Sequence, residues 1–561
     1  MTPELLMIKP DCWTEKAQYL LGEPITLTLL PPREERKLPV FKLFSLAREL
    51  TCEPVWEQME EADGSIYFKA SISGLGEGYY GVEAHWEEGF VSTAFDVVPD
   101  RRKDIRYGFL SDFSSEDTED EDIKFAAKLH LNTCQFYDWM YRHDKLIAEE
   151  DKYTDPLGRE TSLKVIRLKI SACKEHGIRP FAYGAVYAAT DALFSQHPEW
   201  AVYTLDGQPM RFADWLYYMD TSKESPWSDY IVEQYSDAVK QLGFQGIHMD
   251  TYGFPKHVWN SKKEPVSLGK TFPVLIQHAS QAVKEADAES GVIFNAVNNW
   301  PVEEVAAAPQ DAVYIEVWPP HDTYHDLYSL IHKAKQLAQK PVVLAAYMKP
   351  FLKAETIEEQ KAAETALLLT YAVINASGGR HLVFGENQGV LCDSYYAKYA
   401  VMREEFLPEI RAYCDFAVRY GALFVTENTL DISMTATDGI NEDIVFSAAD
   451  GVYFSSDGEA GSVWTIIREA DNRLVIQLIN LAGITNRWNE PKPLRPALIS
   501  NLRICILLDR KVNGVYGAAP EADGGRAKSL DYHMEIRKNG RYWIIDIPYL
   551  NLWKSIWLEL D

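Results

Sequence analysis

The sequence is short of positive charge, of paired cysteines and of long apolar runs, and each shortage removes a class of function. Lys and Arg number 56 against 83 Asp and Glu, a formal net charge of -27. Such a surface repels the phosphates of nucleic acid and the anionic headgroups of membranes, so the expected ligand is neutral and neither nucleic acid nor membrane is an expected partner. The seven cysteines, at 12, 52, 134, 173, 392, 414 and 505, are odd in number, widely spaced and free of any C-x-x-C pair. That spacing argues against a disulfide scaffold and against a zinc site, leaving buried reduced thiols. The longest apolar stretch, "ALLLTYAVINA" at 366–376, falls short of the ~20 residues that span a bilayer. The first residues, "MTPELLMIKPDCW", show no basic segment leading into an apolar core. These features give the expectation of a cytoplasmic protein without an anchor. No phosphate-binding G-x-x-x-x-G-K-[ST] and no nucleophile-bearing G-x-S-x-G occurs, and no metal or other cofactor is expected. Composition leaves the oligomeric state open.

Aromatic residues are plentiful, at 12% of 561 residues, and the chain is long enough for several domains. Residues 1–100 alternate apolar and polar side chains in short runs such as "PITLTLL", "SIYFKASISG" and "FVSTAFDVV", the pattern of a small β-sandwich. After "VPDRRKD" short apolar segments alternate with amphipathic ones, as in a parallel βα array. The strand candidates are "IRYGFL", "LNTCQF", "IRPFAYG", "FQGIHMD", "GVIFNAV", "DAVYIEV", "PVVLAAY" and "RHLVFG". Eight such segments predict a (β/α)8 barrel over 101–420. Strand patterns return in "RLVIQLINLAG", "LRICILLDR" and "SIWLELD", predicting an antiparallel β domain over 421–561. The segment between the third and fourth strands, "HPEWAVYTLDGQPMRFADWLYYMDTSKESPWSDY", is longer and more aromatic than a connector needs and reads as a loop covering substrate.

In a barrel of this kind chemistry collects where the strands end. The fourth ends in "GIHMDTYG", where His248 and Asp250, two apart on a strand, face the same way. The sixth, "YIEVWPP", ends in Glu316, with Trp318 beyond it. Each carboxylate alone reads as well as a solvated loop charge; two facing one cavity suit glycosidic bond cleavage, which needs one carboxylate at the anomeric carbon and one carboxyl to protonate the leaving oxygen. Trp318 beside Glu316 is expected to keep that carboxyl protonated as acid/base, and hydrogen bonds from His248 or Tyr252 to keep Asp250 ionised as nucleophile. The second strand runs into "CQFYDWMYRHD", which supplies Tyr137, Asp138, Trp139, Arg142 and His143, aromatic faces for sugar C–H surfaces beside a carboxylate for hydroxyls. Tyr183, Tyr187, Asn295, Tyr347, Glu386 and Asn387 complete the candidate substrate-binding set, and each could equally serve packing or a turn. A metal at His248 and Asp250 lacks an evident third ligand.

The motifs "QFYDWMYRHD", "GIHMDTYG" and "YIEVW", in that order, resemble those of glycoside hydrolase family 66, the dextranases and cycloisomaltooligosaccharide glucanotransferases. The resemblance covers most of the chain. It implies an immunoglobulin-like N-domain, a (β/α)8 barrel and a C-terminal β domain, with a retaining mechanism on α-1,6-glucan, Asp250 as nucleophile and Glu316 as acid/base. The leading expectation is an endo-acting hydrolase of dextran or isomaltooligosaccharides. The alternatives are a transglycosylase forming cyclic products and a non-catalytic glucan-binding barrel.

Overall fold

The computed structural model describes all residues except 1–9, 33–34, 61–64, 426–428, 438–439, 449–450, 471 and 494, so most of the N-terminal stretch "MTPELLMIKPDCW" lies outside the described residues. The eight apolar segments form strands β1 (Tyr107–Leu110), β2 (Thr133–Phe136), β3 (Arg179–Ala185), β4 (Gly246–Asp250), β5 (Gly291–Val297), β6 (Val313–Glu316), β7 (Val342–Ala345) and an interrupted β8 (Arg380–His381 and Phe384–Gly385). Neighbours pair in parallel and in chain order. β8 pairs with β7 through Arg380 and His381, and with β1 through Gly385 opposite Phe109, so the sheet curls round onto itself. Two short antiparallel strands continue it beyond β8.

Helices between the strands cover the outer face, and their ends follow from local sequence. Ile357–Ala376 begins with a reciprocal cap between Thr356 and Glu359 and is followed by Gly378 at φ +84°, a backbone that favours glycine. It is the longest helix before the C-terminal strands, and no described helix is long and apolar enough to cross a membrane.

Inside the curl, every second residue points inward. Tyr107 and Phe109 of β1, Phe181 of β3, Ile293 of β5, Ala312 and Tyr314 beside and within β6, and Val343 and Ala345 of β7 form one buried cluster. The next inward position on these strands brings Tyr183, Asp250, Asn295, Glu316 and Tyr347 to the C-terminal end. The interior below is thus plugged largely by apolar and aromatic side chains packed around His248, and the carboxylates lie at its mouth.

Residues 11–98 form a four-stranded and a five-stranded sheet that share one core, with Leu27, Leu29 and Phe68 facing Val82, Ala84 and Phe95. The C-terminal strands form a larger sheet and a four-stranded sheet around a core of their own. At the base of the curled sheet a buried ion network joins three parts of the chain. Asp104 accepts two bonds from Arg380 (2.8 and 2.7 Å) and one from Arg106 (3.1 Å), while Arg106 also bonds Asp96 of the N-terminal sheets at 2.8 Å. Burial alone would raise the Asp104 carboxyl, but the two guanidinium groups outweigh it and hold it below the usual carboxylate range.

This network ties the start of β1 to the start of β8, so breaking it should loosen the closure of the sheet. Arg380→Met is expected to cost about 3–5 kcal/mol, because Asp104 stays buried with half its partners gone. The measurement is the denaturant midpoint of unfolding, and a loss under about 1 kcal/mol would show that the network does not hold the closure.

Candidate active site

The polar mouth opens into a cavity of about 540 Å³ whose wall includes Asp250, Asn295 and Glu316. Asp250 is the last residue of β4 and Glu316 the last of β6, with β5 between them. Asn295, two residues before the end of β5, donates from one amide nitrogen to both, at 2.7 Å to Asp250 Oδ1 and 3.0 Å to Glu316 Oε2. Those two oxygens can be no farther apart than the two bonds laid end to end, about 5.7 Å, and a fork of ~120° at the nitrogen brings them to about 5 Å. Tyr183 donates to the other oxygen of Asp250 and Tyr347 to the other oxygen of Glu316, each at 2.7 Å. All four carboxylate oxygens are therefore held.

The electrostatics follow from burial. Asp250 is pushed up to about 7, first by desolvation and next by the Glu316 charge, against the pull of Tyr183 and Asn295. Glu316 is also raised by burial, opposed by hydrogen bonds from Asn295, Tyr347 and Trp318. Two expectations need correcting here. Trp318 does not disfavour the Glu316 anion but bonds to it, and burial is what keeps that carboxyl high. The partners of Asp250 are Tyr183 and Asn295 rather than His248 and Tyr252: His248 Nδ1 lies 3.0 Å from the Tyr107 hydroxyl, and the Tyr252 backbone N–H bonds the Tyr187 oxygen. Burial pushes His248 down to about 3, so it is neutral in the wall.

Of the other expected residues, Tyr137, Asp138, His143, Tyr183, His248, Trp318 and Tyr347 line the same cavity. Asp138 sits at φ +50°, and burial pushes its carboxyl up to about 7, with Arg159 pulling the other way. Tyr137 stacks on Tyr396 with ring centroids 4.4 Å apart.

Five expected residues lie apart from the cavity. Trp139 is fully buried and donates to the Tyr183 carbonyl at 3.1 Å, propping β3 from behind. Arg142 turns outward over the Tyr141 ring and donates to the Thr154 carbonyl. Tyr187 fastens the loop after β4 by donating to the Phe254 carbonyl at 3.0 Å. Glu386 is completely buried and accepts from the Ser111 and Asp112 backbone and the Ser111 hydroxyl, fixing the loop after β1. Asn387, at φ +51°, donates to the Tyr399 hydroxyl.

Sequence reasoning missed Phe212, Trp215, Phe254, Trp300, Tyr395 and Tyr396, all on the cavity wall. Phe212 and Trp215 belong to the aromatic segment after β3, which folds as a small three-stranded sheet beside the mouth. Its aromatic density was the available signal. Tyr395 and Tyr396 follow β8 in "DSYYAKY", where only the doubled tyrosine stands out.

Comparison with known proteins identifies the family. The model of glycosyl hydrolase family 66 matches residues 14–557. A cycloisomaltooligosaccharide glucanotransferase of Niallia circulans is 24% identical over 617 aligned positions, covering 83% of this chain and 62% of that protein. A dextranase of Streptococcus salivarius is 23% identical over 419 positions, covering 66% of this chain and 49% of its own length. The chain thus spans less than two thirds of either of these relatives. Among solved structures, a cycloisomaltooligosaccharide glucanotransferase of Paenibacillus sp., in complex with cycloisomaltoheptaose, superimposes with a TM-score of 0.86 at 20% identity, covering 98% of this chain and 100% of that one. At that identity the likeness speaks for the fold, and the family match speaks for descent: the chain belongs to glycosyl hydrolase family 66.

Proposed function

We propose that this protein cleaves α-1,6-linked glucose chains by double displacement, with Asp250 as nucleophile and Glu316 as acid/base. The observation that carries the reading is the Asn295 bridge. It keeps Asp250 Oδ1 and Glu316 Oε2 within about 5.7 Å of each other, short of the ~6.5–9.5 Å that an inverting enzyme needs for a water between base and sugar. The substrate class rests on the names of the relatives, a dextranase and cycloisomaltooligosaccharide glucanotransferases, and on a cavity walled by aromatic rings suited to a neutral sugar. We further propose the division into an immunoglobulin-like domain (1–100), a (β/α)8 barrel (101–420) and a C-terminal β domain (421–561).

In this mechanism the reacting form of the pair carries one proton and one negative charge. Positive charge developing at the anomeric carbon beside Asp250 draws the anion there and leaves the proton on Glu316. Asp250 then bonds the anomeric carbon as the glycosidic C–O bond breaks, and Glu316 gives its proton to the departing oxygen. In the second step Glu316 takes a proton from water, which attacks the glycosyl-enzyme and frees Asp250. Asn295 stays hydrogen-bonded to both groups, and Tyr183 and Tyr347 fix their outer oxygens. A glucan hydroxyl replacing water would make the same site a transferase, the activity named for two of the relatives.

Asp250→Asn should fold normally and lose at least about a thousandfold in kcat on dextran, since the amide is a poor nucleophile. Activity within about tenfold of wild type, only ~1.4 kcal/mol, would remove Asp250 from the role. Glu316→Gln should spare aryl glycosides with good leaving groups and respond to azide. It should also abolish the basic limb of the rate profile on those substrates, because that limb reports loss of the Glu316 proton. A basic limb that stays in place would show that another group is the acid. Chromatography of products from dextran decides hydrolysis against transfer: linear oligosaccharides support the hydrolytic reading, and cyclic products without reducing ends overturn it.

A further inference from the structure

Most aromatic rings of this protein are buried. Among the described residues, the Phe, Tyr and Trp side chains left most open to water are Phe90, Trp215, Phe254, Tyr395 and Tyr453, at 40% to 57% exposure. Three of these five, Trp215, Phe254 and Tyr395, line the cavity that holds Asp250 and Glu316. Single exposed apolar residues need no explanation, but exposed rings gathered at one mouth mark a contact surface.

Trp215 and Phe254 belong to one sector of that mouth. Trp215 stands just before the strand Leu216–Tyr218 of the small sheet that follows β3, and Phe254 lies in the loop after β4, the strand paired with β3. The two segments are fastened to each other, because Tyr203 and Trp259 exchange backbone hydrogen bonds of 2.7 and 3.0 Å. Behind the exposed rings lies a second aromatic layer. Phe212 stacks on Tyr252 with centroids 4.2 Å apart, Tyr218 and Phe212 approach Phe254 at 5.8 and 6.2 Å, and His143 approaches Trp215 at 5.4 Å. Each exposed ring is thus backed on one side and open on the other, and offers an apolar face at little further cost in side-chain freedom. Tyr395 differs, since the Lys398 ammonium already sits 5.3 Å from its ring centroid.

The hydrogen bonds that set the two carboxyls come from Tyr183, Asn295, Tyr347 and Trp318, so Trp215 and Phe254 stand outside that set. A glucose ring in its chair form presents C–H groups on its faces and hydroxyls at its rim, and the faces pack on aromatic rings. Units joined through the exocyclic C6 turn freely enough to meet rings from two separate loops.

We infer, building on the α-1,6-glucan reading of this site, that Trp215 and Phe254 form an outer sugar-binding platform. It holds a glucose unit beyond those at the cleaved bond and so sets the preferred chain length. Binding energy gained there, away from the reacting atoms, is open to a long chain and denied to a short one.

The test is kcat/KM across a ladder of isomaltooligosaccharides of increasing length, for the wild type and for the double variant Trp215→Ala/Phe254→Ala. The wild type should gain with length, and the double variant should lose about tenfold on the longest chains and far less on the shortest one cleaved. Trp215→Phe, which keeps a ring, should recover part of that loss when paired with native Phe254. An equal loss at every length, or no loss at all, overturns the platform and leaves the α-1,6-glucan reading standing. A wild type that cleaves no member of the ladder and no dextran overturns that reading, and the platform with it.

Discussion

Two buried carboxyls a few ångströms apart repel each other, and the site exists because one amide nitrogen stands between them. Asn295 gives one N–H to Asp250 and one to Glu316, so the spacing of the pair is set by the fork of a single planar group. A shorter hydroxyl could not reach both, and a carboxylate there would add a third negative charge. The arrangement requires Asp250, Asn295 and Glu316 to come from three adjacent strands, which the parallel order β4, β5, β6 supplies.

The rest of the molecule serves that constraint. Period-two alternation fills the interior with Tyr107, Phe181, Ile293 and Tyr314 around His248 and brings the carboxylates to the last inward layer. That layer is dry enough to lift both carboxyls, and Tyr183 and Tyr347 take the oxygens that Asn295 does not. Behind it, Trp139, Tyr187 and Glu386 hold a strand and two loops in place by single hydrogen bonds or small sets of them. At the base, Asp104 links the first and last strands, so that closure of the sheet and the position of its mouth are one problem.

Much of this is legible in the chain. The eight apolar segments stand out because each is short, apolar and followed by a helical pattern, and Asp250 and Glu316 stand out as carboxylates ending two of them. The partners are not legible. Which neighbour bonds Asp250 depends on the register between β3, β4 and β5, which no single strand encodes, so sequence reasoning points to His248 and Tyr252 where Tyr183 and Asn295 serve. Trp139 and Arg142 lie apart from the cavity because the chain turns sharply at Asp138, φ +50°, sending Trp139 behind β3 and Arg142 outward before His143 returns to the wall. Phe212, Trp215 and Tyr396 come from segments far apart in sequence that only the closed fold assembles around one cavity.

A carboxylate pair held this closely is expected to work by double displacement, and on that expectation the functional proposal stands or falls. It is tested most directly by proton NMR of the first product released from an α-1,6-glucan, recorded before mutarotation. The predicted result is that the α-anomer appears first and the β-anomer only later by equilibration. A β-anomer formed first would show single displacement through water and contradict the nucleophile and acid/base roles of the Asn295-bridged pair.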